Sequence, residues 1–442
     1  MTLTAARSDM VPSRAAANSA VSAPTLLGTT PAPLGTTRLL AGPPGAAGAE
    51  SLLDHHARLG PLPGSGAAQL VPVLEASGLL GRGGAGFPVG RKWRSVAERS
   101  DGHAVVLVNG AEGEPLSTKD RSLMALRPHL VIDGAALAAN AVGADEIVLY
   151  VGAEHAVARA SLTRAVAERS RELAVPVRLV SAPIGYISGE ESAAVHFVNA
   201  GDARPTNVPP RPYEAGVHGQ PTLVQNVESL AQVALIARFG DAWYRQAGFA
   251  ETPGTALMTV AGAVAQPGVR EIQIGTPLSE VAAGAGASRD RTRAVLLGGY
   301  FGGWAGVDEA WDLPLDPAVM RPRGLAFGCG VVSFLSPAEC GVTATGRILD
   351  FMALSSAGQC GPCVFGLRAI ADATHRLATG GPQPDYLARL ERWSGEIAGR
   401  GACRHPDGAV GFLRSGLRVF GDDFVRHQGR RPCEAHPARG AN

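Results

Sequence analysis

The feature that most constrains this chain is a glycine-rich stretch that ends in a lysine and a tryptophan. It contains five glycines and reads Leu80-Gly81-Arg82-Gly83-Gly84-Ala85-Gly86-Phe87-Pro88-Val89-Gly90-Arg91-Lys92-Trp93. Because glycine has no Cβ, a bound group can approach the backbone N–H groups of such a loop closely. Successive N–H groups form a nest for an anion, and a neighbouring cation adds positive charge. The stretch therefore predicts a bound phosphate with a flat ring beside Phe87; a plain surface loop is the alternative.

Two further observations favour the phosphate interpretation. The stretch lacks the closing Gly-Lys-Ser/Thr of a Walker motif, and it also lacks the usual strand–turn–helix setting of the dinucleotide fingerprint. It is therefore a more specific sequence than either of these common glycine-rich motifs. Lysine is also rare, since Lys92 and Lys119 are the only two lysines in the sequence. An ammonium group is a compact point charge, whereas guanidinium is a planar fork. The two lysines therefore indicate positions that require the smaller group.

The composition argues against several classes of function. A chain of 442 residues is long enough for about two to four domains with a large core. The formal net charge is +1 and the charged residues are interspersed, so no basic patch indicates nucleic acid. No apolar run reaches the roughly 20 residues that span a bilayer, and the N-terminus has no signal pattern, which predicts a cytoplasmic protein. Six cysteines are too sparse for a disulfide scaffold.

The character of the sequence changes along the chain and predicts five segments. Residues 1–48 are rich in Ala, Ser, Thr, Pro and Gly, so most of this arm is expected to be disordered. The later segments span residues 49–248, 249–335, 336–428 and a Pro/Arg-rich tail, 429–442. Ser51 begins a short predicted helix with two histidines, His55 and His56, for which exposed polar positions are favoured over a metal site.

Short apolar runs alternate with amphipathic stretches in the second segment. The predicted strands and helices are Ala104–Val108, Glu146–Val151 and Val175–Val180, and Pro128–Ala144 and His155–Leu173. Strands that alternate with helices of this length indicate parallel βαβ units and an α/β, Rossmann-like fold. Ligands of such sheets bind at the carboxyl ends of the strands.

The third segment differs from the second. Strands are predicted at Leu257–Gly262, Gly268–Ile274 and Ala294–Leu297, around one short helix at Pro277–Ala282. This pattern indicates a small α+β unit of β-grasp type. From about Gly341 onward helices dominate, and the cysteines gather there.

Three polar segments lie where a site in the α/β region is expected. Residues 109–115 read Asn-Gly-Ala-Glu-Gly-Glu-Pro and residues 185–191 read Gly-Tyr-Ile-Ser-Gly-Glu-Glu, and both follow predicted strands. Residues 221–228 read Pro-Thr-Leu-Val-Gln-Asn-Val-Glu. A charged turn with a helix cap and a solvated turn are the alternative interpretations of the first two segments.

The four motifs, in this order, resemble those of the NADH-binding flavoprotein subunit of respiratory complex I, a family that also serves NAD-linked hydrogenases and formate dehydrogenases. The glycine stretch resembles its flavin-binding loop. The other motifs depart from the family pattern at single positions: Ala111 replaces an aspartate, Ser188 a cysteine and Gln225 an asparagine. The resemblance covers about residues 51–428.

The resemblance implies a site for FMN and a hydride-donating nucleotide. Its implied catalytic residues are Glu112 and Glu191. Its implied cofactor-binding residues are Gly81, Arg82, Gly83, Gly84, Gly86, Phe87, Lys92, Asn109, Glu112, Glu114, Tyr186, Gly189, Glu190, Glu191, Gln225 and Asn226. One of the paired carboxylates is expected to orient the nicotinamide or its ribose and to repel a 2′-phosphate.

The nucleotide half of this implied site has lost two aromatic rings. In the family the adenine of NADH lies between rings, but this chain has Ser95 and Arg211 where second rings are expected. A guanidinium can stack on adenine, so Arg211 is a possible substitute. Losing a stacking ring should cost roughly 1–3 kcal/mol, which predicts weak or altered nucleotide binding.

The cysteine spacing resembles the family's site for a [4Fe–4S] cluster. The implied metal ligands are Cys360, Cys363 and Cys403, and the missing first ligand falls on Ala357. Four thiolates are the usual complement, so a [4Fe–4S] cluster with another ligand, a [3Fe–4S] cluster or no cluster remain open, with a cluster on three thiolates favoured. Cys329 and Cys340 are expected to be small buried residues, and Cys433 an exposed thiol.

The resemblance implies a flavin domain at 49–248, a β-grasp-like (SLBB-type) domain at 249–335 and a helical iron–sulfur domain at 336–428. It implies an NADH dehydrogenase-type subunit that passes electrons from NAD(P)H through FMN to the cluster. A hetero-oligomer with an iron–sulfur partner subunit is expected. The alternative is an FMN-binding electron-transfer subunit that is fed by ferredoxin and binds NADH weakly or not at all.

Overall fold

The computed structural model describes residues 37–45, 48–63, 67–380, 385–431, 433 and 435. Most of the arm that the sequence predicts to be disordered, residues 1–36, lies outside these residues. The part from residue 37 corrects the prediction, because Leu39 is fully buried. The backbone N–H groups of Arg38, Leu39 and Leu40 donate to the buried carboxylate of Glu271 at 2.9 to 3.1 Å. Backbone hydrogen bonds to Glu271 and the burial of Leu39 in the apolar core together fasten this segment.

The first sheet has four parallel strands in the order β3-β2-β1-β4. The strands are β1 (Ala104–Gly110), β2 (Ala144–Gly152), β3 (Val177–Ala182) and β4 (Thr222–Asn226). The α/β prediction is confirmed, and its three strands are present. The fourth strand is recognisable in the sequence only as a motif. In the sheet, β4 pairs with β1, so that Gln225 lies beside Val108 and Asn226 beside Asn109.

Helices cover both faces of this sheet and bury a large apolar core with it. They are α1 (Leu52–Leu59), α2 (Ala67–Ser77), α3 (Val89–Ala97), α4 (Lys119–Leu126), α5 (Pro128–Val142), α6 (Ala156–Glu168), α7 (Glu191–Ala200) and α8 (Val227–Tyr244). Glycine allows the close approach of α5 to α8, since a Cβ on Gly134 would lie 2.1 Å from the carbonyl oxygen of Leu230. α8 begins directly after β4, at the carboxyl end of that strand.

A buried charge network beside α1 corrects the prediction for His55, which is almost fully buried. Its Nε2 lies 2.8 Å from Asp133 and its Nδ1 3.4 Å from Glu50. Asp133 also pairs with Arg169 and, at 2.6 Å, with Arg238. Burial opposes ionisation of Asp133, but hydrogen bonding to His55 and the two guanidinium groups hold the pKa of Asp133 at about 2. His55 is therefore a core histidine that joins α1 to α5.

The second sheet has five strands in the order β6-β5-β9-β7-β8 and is mixed. Its strands are β5 (Thr255–Gly262), β6 (Gly268–Gln273), β7 (Ala294–Leu297), β8 (Gly303–Gly306) and β9 (Val331–Leu335). The short helices associated with it are α9 (Leu278–Gly284), α10 (Val307–Ala310) and α11 (Pro317–Met320). A separate apolar core fills the space between this sheet and α9, in agreement with a small β-grasp-like unit.

The last part of the chain is helical, as predicted. Its helices are α12 (Gly341–Leu354), α13 (Arg368–Thr379), α14 (Tyr386–Ile397), α15 (His405–Val419) and α16 (Gly421–Gln428). A π-helical turn, Pro362–Leu367, leads into α13. None of the described helices has the length and apolar character needed to cross a membrane.

Candidate functional site: a phosphate-type loop and a group of three thiols

The glycine-rich stretch forms a closed loop in front of α3. An antiparallel bridge joins Leu80 to Pro88, and Gly81 N–H donates to the carbonyl of Phe87 at 2.9 Å. Within the loop Gly84 and Gly86 have φ angles of +105° and +64°, which residues with a Cβ rarely adopt. The glycines are therefore needed for the loop conformation itself.

Arg82 and Phe87 take different positions in this loop. The Arg82 side chain is buried and donates to the hydroxyl of Tyr244 and the carbonyl of Thr255, while its backbone N–H donates to Ser229. The guanidinium of Arg82 therefore fastens the loop to α8 and β5. Phe87 instead has 53% of its surface exposed, which leaves a ring face open beside the loop.

The loop lies against the carboxyl end of β4. A Cβ on Gly83 would be 3.3 Å from the Cβ of Asn226. The Asn226 side chain accepts from the first N–H groups of α8 and donates to Asp120 at 2.7 Å. Gln225 is buried and accepts from the indole N–H of Trp93 at 3.3 Å. The structure thus brings the first and fourth motifs together.

The second and third motifs also meet, at the ends of β1 and β3. The Asn109 side chain donates to the carbonyl of Gly189 at 2.8 Å. A Cβ on Gly113 would lie 2.6 Å from the carbonyl oxygen of Gly185, so this position requires glycine for the contact. All four predicted motifs therefore gather at one edge of the first sheet, as the rule for parallel sheets predicts.

The two glutamates of the second motif are both engaged by the protein. Glu112 accepts from the hydroxyl of Ser117 and from the backbone N–H groups of Asp120 and Arg121. Its carboxylate therefore caps the start of α4, where the partial positive charge of a helix N-terminus favours an anion. A catalytic role for Glu112 remains a prediction.

Glu114 is partly buried and links the loop after β1 to the turn between β7 and β8. It accepts from the backbone N–H of Tyr300 at 2.8 Å and from the hydroxyl of Tyr186 at 3.3 Å. Burial raises the pKa of Glu114 to about 7, although these hydrogen bonds oppose the shift. Tyr186 of the third motif packs against Phe301, in the turn between β7 and β8, and against Phe351 of α12.

The paired acids of the third motif differ in their surroundings. Glu190 caps α7 by accepting from Ala193 N–H and the hydroxyl of Ser192. Glu191 is 38% exposed and pairs with Lys92 at 2.9 Å. The predicted phosphate-binding lysine and the predicted nucleotide-orienting carboxylate thus face each other at the open edge of the site.

The second lysine has a different role. Lys119 is 2% exposed, and its Nζ lies 2.7 Å from Asp120 and 2.8 Å from Glu228. Both carboxylates raise the pKa of Lys119, which keeps it charged despite burial. Glu228 also accepts from the backbone N–H of Leu257 at 2.8 Å. A compact ammonium between two carboxylates therefore joins α4, α8 and β5, which accounts for a lysine at this position.

The residues at this edge fit a phosphate-bearing flavin in their chemistry. A glycine loop, an ammonium and the side-chain amides of Asn109 and Asn226 are donors suited to phosphate, ribitol and ring edges. A cleft of about 220 Å³ opens beside the loop and is bounded on its other side by Pro317 and Leu325–Gly328. This cleft contacts Gly81, Arg82, Gly84 and Gly86 but none of the other predicted site residues, so it covers one end of the predicted site.

Ser95 and Arg211, which stand where aromatic rings are expected, form hydrogen bonds with residues close to them in the sequence. The hydroxyl of Ser95 donates to the carbonyl of Arg91 at 3.0 Å, one turn back on α3. Arg211 is exposed, and its backbone N–H donates to Glu214 at 2.8 Å. Whether the Arg211 guanidinium stacks on an adenine stays a prediction.

The three predicted cluster cysteines lie on two neighbouring segments, Cys360 and Cys363 at the π-helical turn and Cys403 in the loop before α15. The backbone N–H of Cys363 donates to the carbonyl of Cys360 at 3.0 Å. Burial opposes ionisation of Cys360, but the nearby backbone N–H of Ala402 lowers the pKa of Cys360, so the two segments are neighbours. Cys403 lies in the loop just before α15, close to the backbone N–H of His405.

These contacts fit an iron–sulfur cluster, because thiols and inward N–H groups are its usual environment. Ala357 offers no ligand atom. His405 is a residue that sequence reasoning misses: it is almost fully buried. Its Nε2 donates to the carbonyl of Met352 at 2.7 Å, and its Nδ1 has no hydrogen-bond partner in the described part of the chain. The only signal in the sequence is its position two residues after Cys403, which has little meaning without the fold.

The burial of the other three cysteines agrees only in part with the prediction. Cys329 is partly buried and its thiol donates to the carbonyl of Gly298 at 3.4 Å, and Cys340 is buried as expected. The prediction that Cys433 is exposed is wrong, because only 1% of its surface is exposed. The chain after α16 folds back onto the helical region, which a local sequence pattern does not reveal.

Comparison with known proteins identifies the family of this chain. The model of the Nuo51 FMN-binding domain matches residues 74–235, and the model of the NADH-ubiquinone oxidoreductase-F iron-sulfur binding region matches residues 343–427. An F-type subunit of the NADH-quinone oxidoreductase of Rhizobium meliloti is 32% identical over 382 residues, covering 83% of this chain and 90% of the relative. The chain belongs to the family of NADH-quinone oxidoreductase F-type subunits.

Other members and a solved structure support the family assignment. The F-type subunit of the NADH-quinone oxidoreductase of Streptomyces coelicolor is 30% identical over 383 residues, covering 84% of this chain and 85% of the relative. A chain of an NAD+-reducing [NiFe]-hydrogenase, solved in the air-oxidized state, superposes with a TM-score of 0.77 at 30% identity. The match covers 82% of this chain but 63% of the hydrogenase chain, so the aligned region is less than two thirds of that protein. The resemblance found in the sequence is thereby confirmed.

Proposed function

We propose that this chain is an NADH dehydrogenase-type flavoprotein subunit that passes electrons from NAD(P)H through FMN to an iron–sulfur cluster and a partner. The observation that carries the proposal is the meeting of four separate motifs at one edge of the first sheet, where Lys92 faces Glu191. Membership in this family and the matches to its FMN-binding and iron–sulfur regions support the same function.

The protein's own contribution at the flavin site is binding and orientation. The loop amides and Lys92 would hold the phosphate, and the amides of Asn109, Gln225 and Asn226 lie at the strand ends where they would orient the ring and its side chain. Bound FMN supplies the chemistry, since it accepts a hydride and releases single electrons. Glu191 would orient the nucleotide from the open edge. Its pairing with Lys92 means that phosphate binding competes with an ion pair already present.

We assign the transfer of electrons from the flavin toward the partner to the cysteine-bearing segments of the helical region. Cys360, Cys363 and Cys403 would hold the cluster, and the N–H groups of Ala402 and His405 would stabilise negative charge on its thiolates. Relatives named as complex subunits support a hetero-oligomer, and we infer that the partner accepts electrons near these segments. The cytoplasmic location stays a prediction from the sequence.

Absorbance of the purified protein, before and after anaerobic NADH, tests the proposal. A flavin spectrum that bleaches on addition of NADH is expected. A protein that stays colourless after reconstitution with FMN would contradict the flavin site.

A second function is favoured by one specific observation, the polar side chains of Ser95 and Arg211 at the positions of the missing rings. In this alternative the chain holds FMN but receives electrons from a ferredoxin. Ser95→Phe and Arg211→Phe together should lower the apparent KM for NADH if the carboxylate side of the site functions. Bleaching by reduced ferredoxin, with none by NADH in either form, would establish the alternative.

A further inference from the structure

Three potential metal ligands meet where the chain after α16 returns to the start of α12. They are Cys340, His427 and Cys433, and their ligand atoms all lie within 4.8 Å of one another. Both cysteines are buried and His427 is partly buried. Neither cysteine is in a disulfide. The group is separate from the predicted cluster segments, since α12 has 14 residues and its two ends are therefore about 20 Å apart.

The geometry of this group matches what a single tetrahedral ion needs. Cys340 Sγ lies 3.3 Å from His427 Nε2. With Zn–S and Zn–N bonds of about 2.3 and 2.0–2.1 Å, the sulfur and nitrogen of a tetrahedral zinc site are about 3.6 Å apart. A shift of a few tenths of an ångström would thus bring the two ligand atoms to the expected separation.

The orientation of His427 is set from its other side. Its Nδ1 lies 2.9 Å from the carbonyl of Leu377. A carbonyl can only accept, so Nδ1 carries the proton and the lone pair of Nε2 in the neutral ring points at the cysteine. Metal-binding histidines almost always donate their second N–H in this way, which fixes the tautomer and strengthens the ligand. The histidine is therefore already arranged as a ligand.

The local structure also favours a thiolate at Cys340. This residue is the N-cap of α12, and the backbone N–H of Thr343 donates to its sulfur at 3.5 Å. The N-terminus of a helix carries partial positive charge, which favours an anion at this position. Thiolate is the form in which cysteine binds metal.

The third ligand depends on the turn that follows α16. Arg430 N–H donates to the carbonyl of His427 at 3.0 Å, and Arg431 N–H donates to that of Arg426 at 2.8 Å. Arg430 has a φ of 55°, which reverses the chain and returns Cys433 to the helical region. The turn therefore presents the second sulfur to the first.

We propose that Cys340, His427 and Cys433 bind one Zn²⁺ ion, with water or another ligand in the fourth position. Two sulfurs and one imidazole are ligands that zinc prefers. The ion would fasten the segment after α16 to the start of the helix that leads to the predicted cluster segments. It would act on the anchoring of the helical region and takes no part in electron transfer, since zinc has no redox chemistry.

Metal analysis of the full chain after expression with zinc and iron tests the site. Wild type should contain about one zinc per chain, and Cys340→Ser and Cys433→Ser should lose it while keeping their iron. Cys403→Ala is the matched control, because it should lose iron and keep zinc. Zinc content that is equal in wild type, Cys340→Ser and Cys433→Ser would overturn the proposal.

A measurement on the unaltered chain covers the case in which a cysteine variant fails to fold. Wild-type protein is treated with a chelator and then alkylated with or without added Zn²⁺, and each cysteine is quantified by mass spectrometry. Zinc should slow alkylation of Cys340 and Cys433 at least tenfold and leave Cys329 unchanged. Equal rates with and without zinc, or a Cys340–Cys433 disulfide in protein purified without oxidant, would refute the site.

Discussion

The predicted flavin region and the predicted cluster region are built in different ways. At the edge of the first sheet several of the predicted cofactor residues already bond to one another, as Asn109 does to Gly189 and Lys92 to Glu191. In the helical region the three cysteines are positioned by the backbone, Cys360 and Cys363 at the π-helical turn and Cys403 before α15, and Cys363 packs in the helical core. The first region is thus held by bonds between its site side chains, whereas in the second the thiols themselves are the proposed ligand set.

This difference determines how each region should respond to substitution. In the flavin region, removing one cofactor-binding side chain should weaken cofactor affinity by the free energy of one interaction, because the rest of the site is held in place. In the cluster region each thiol is a large fraction of the ligand set, which is already one short at Ala357. The following predictions test this contrast, from the largest expected effect to the smallest.

The largest effect is expected for the cluster thiols. Cys403→Ala should abolish iron binding because only two thiolates would remain, and Ala357→Cys should give a more stable four-iron cluster because four thiolates are the usual complement. Iron counting and EPR after anaerobic reconstitution measure both effects. If wild type and Cys403→Ala bind equal iron with the same spectrum, these thiols are not a cluster site.

The next effect concerns the buried lysine of the flavin region. Lys119→Met should lower the free energy of unfolding by about 3–5 kcal/mol, because it leaves Asp120 and Glu228 buried without their cation. Denaturant unfolding followed by fluorescence measures it. Lys92→Met is the matched control and should change stability by at most about 1 kcal/mol, since its ion pair with Glu191 is partly exposed. Similar losses in both variants would contradict the distinction between the two lysines.

For Lys92 the expected change is in cofactor affinity. Lys92→Ala should weaken FMN binding by about 2–3 kcal/mol, roughly 30- to 150-fold, because a charge-assisted contact to phosphate is lost. Titration of apoprotein with FMN, followed by flavin fluorescence, measures the affinity. Riboflavin, which lacks the phosphate, should bind wild type and variant alike. An unchanged Kd for FMN would remove Lys92 from the phosphate site.

The smallest effect is the pH dependence contributed by Glu114. Burial raises its pKa from 4.5 to about 7, so between these values the folded state holds a proton that the unfolded state has lost. Stability from this group is therefore full below about pH 4.5 and is lost as the pH rises through about 7.

Glu114→Gln imitates the protonated form and tests this pH effect. It should be more stable than wild type at pH 8 by roughly 1–3 kcal/mol, and the two should converge at pH 5. Denaturant midpoints across this range measure the difference. Burial raises the pKa of Asp120 against the pull of Lys119, but Asp120 is present in both proteins, so its contribution cancels in the comparison. A constant difference at all pH values would contradict the assignment to Glu114.

Local sequence determined the fold class, three of the four strands of the first sheet and the four motifs. Apolar periodicity and glycine spacing are patterns over a few neighbouring residues, so they can be recognised without knowledge of the fold. The position of the motifs could also be predicted, because the carboxyl ends of parallel strands share one edge. The roles of single residues within them, such as the helix cap formed by Glu112, could not.

Only the tertiary structure decided which polar residues are buried and paired. His55 and Cys433 are expected at the surface from the sequence, and both are buried because distant segments cover them. The charge of Lys119 is retained inside because Glu228, more than 100 residues away in the sequence, lies beside it. Such contacts depend on how α8, α12 and α16 pack, and no short sequence pattern encodes the partner of a buried charge or thiol.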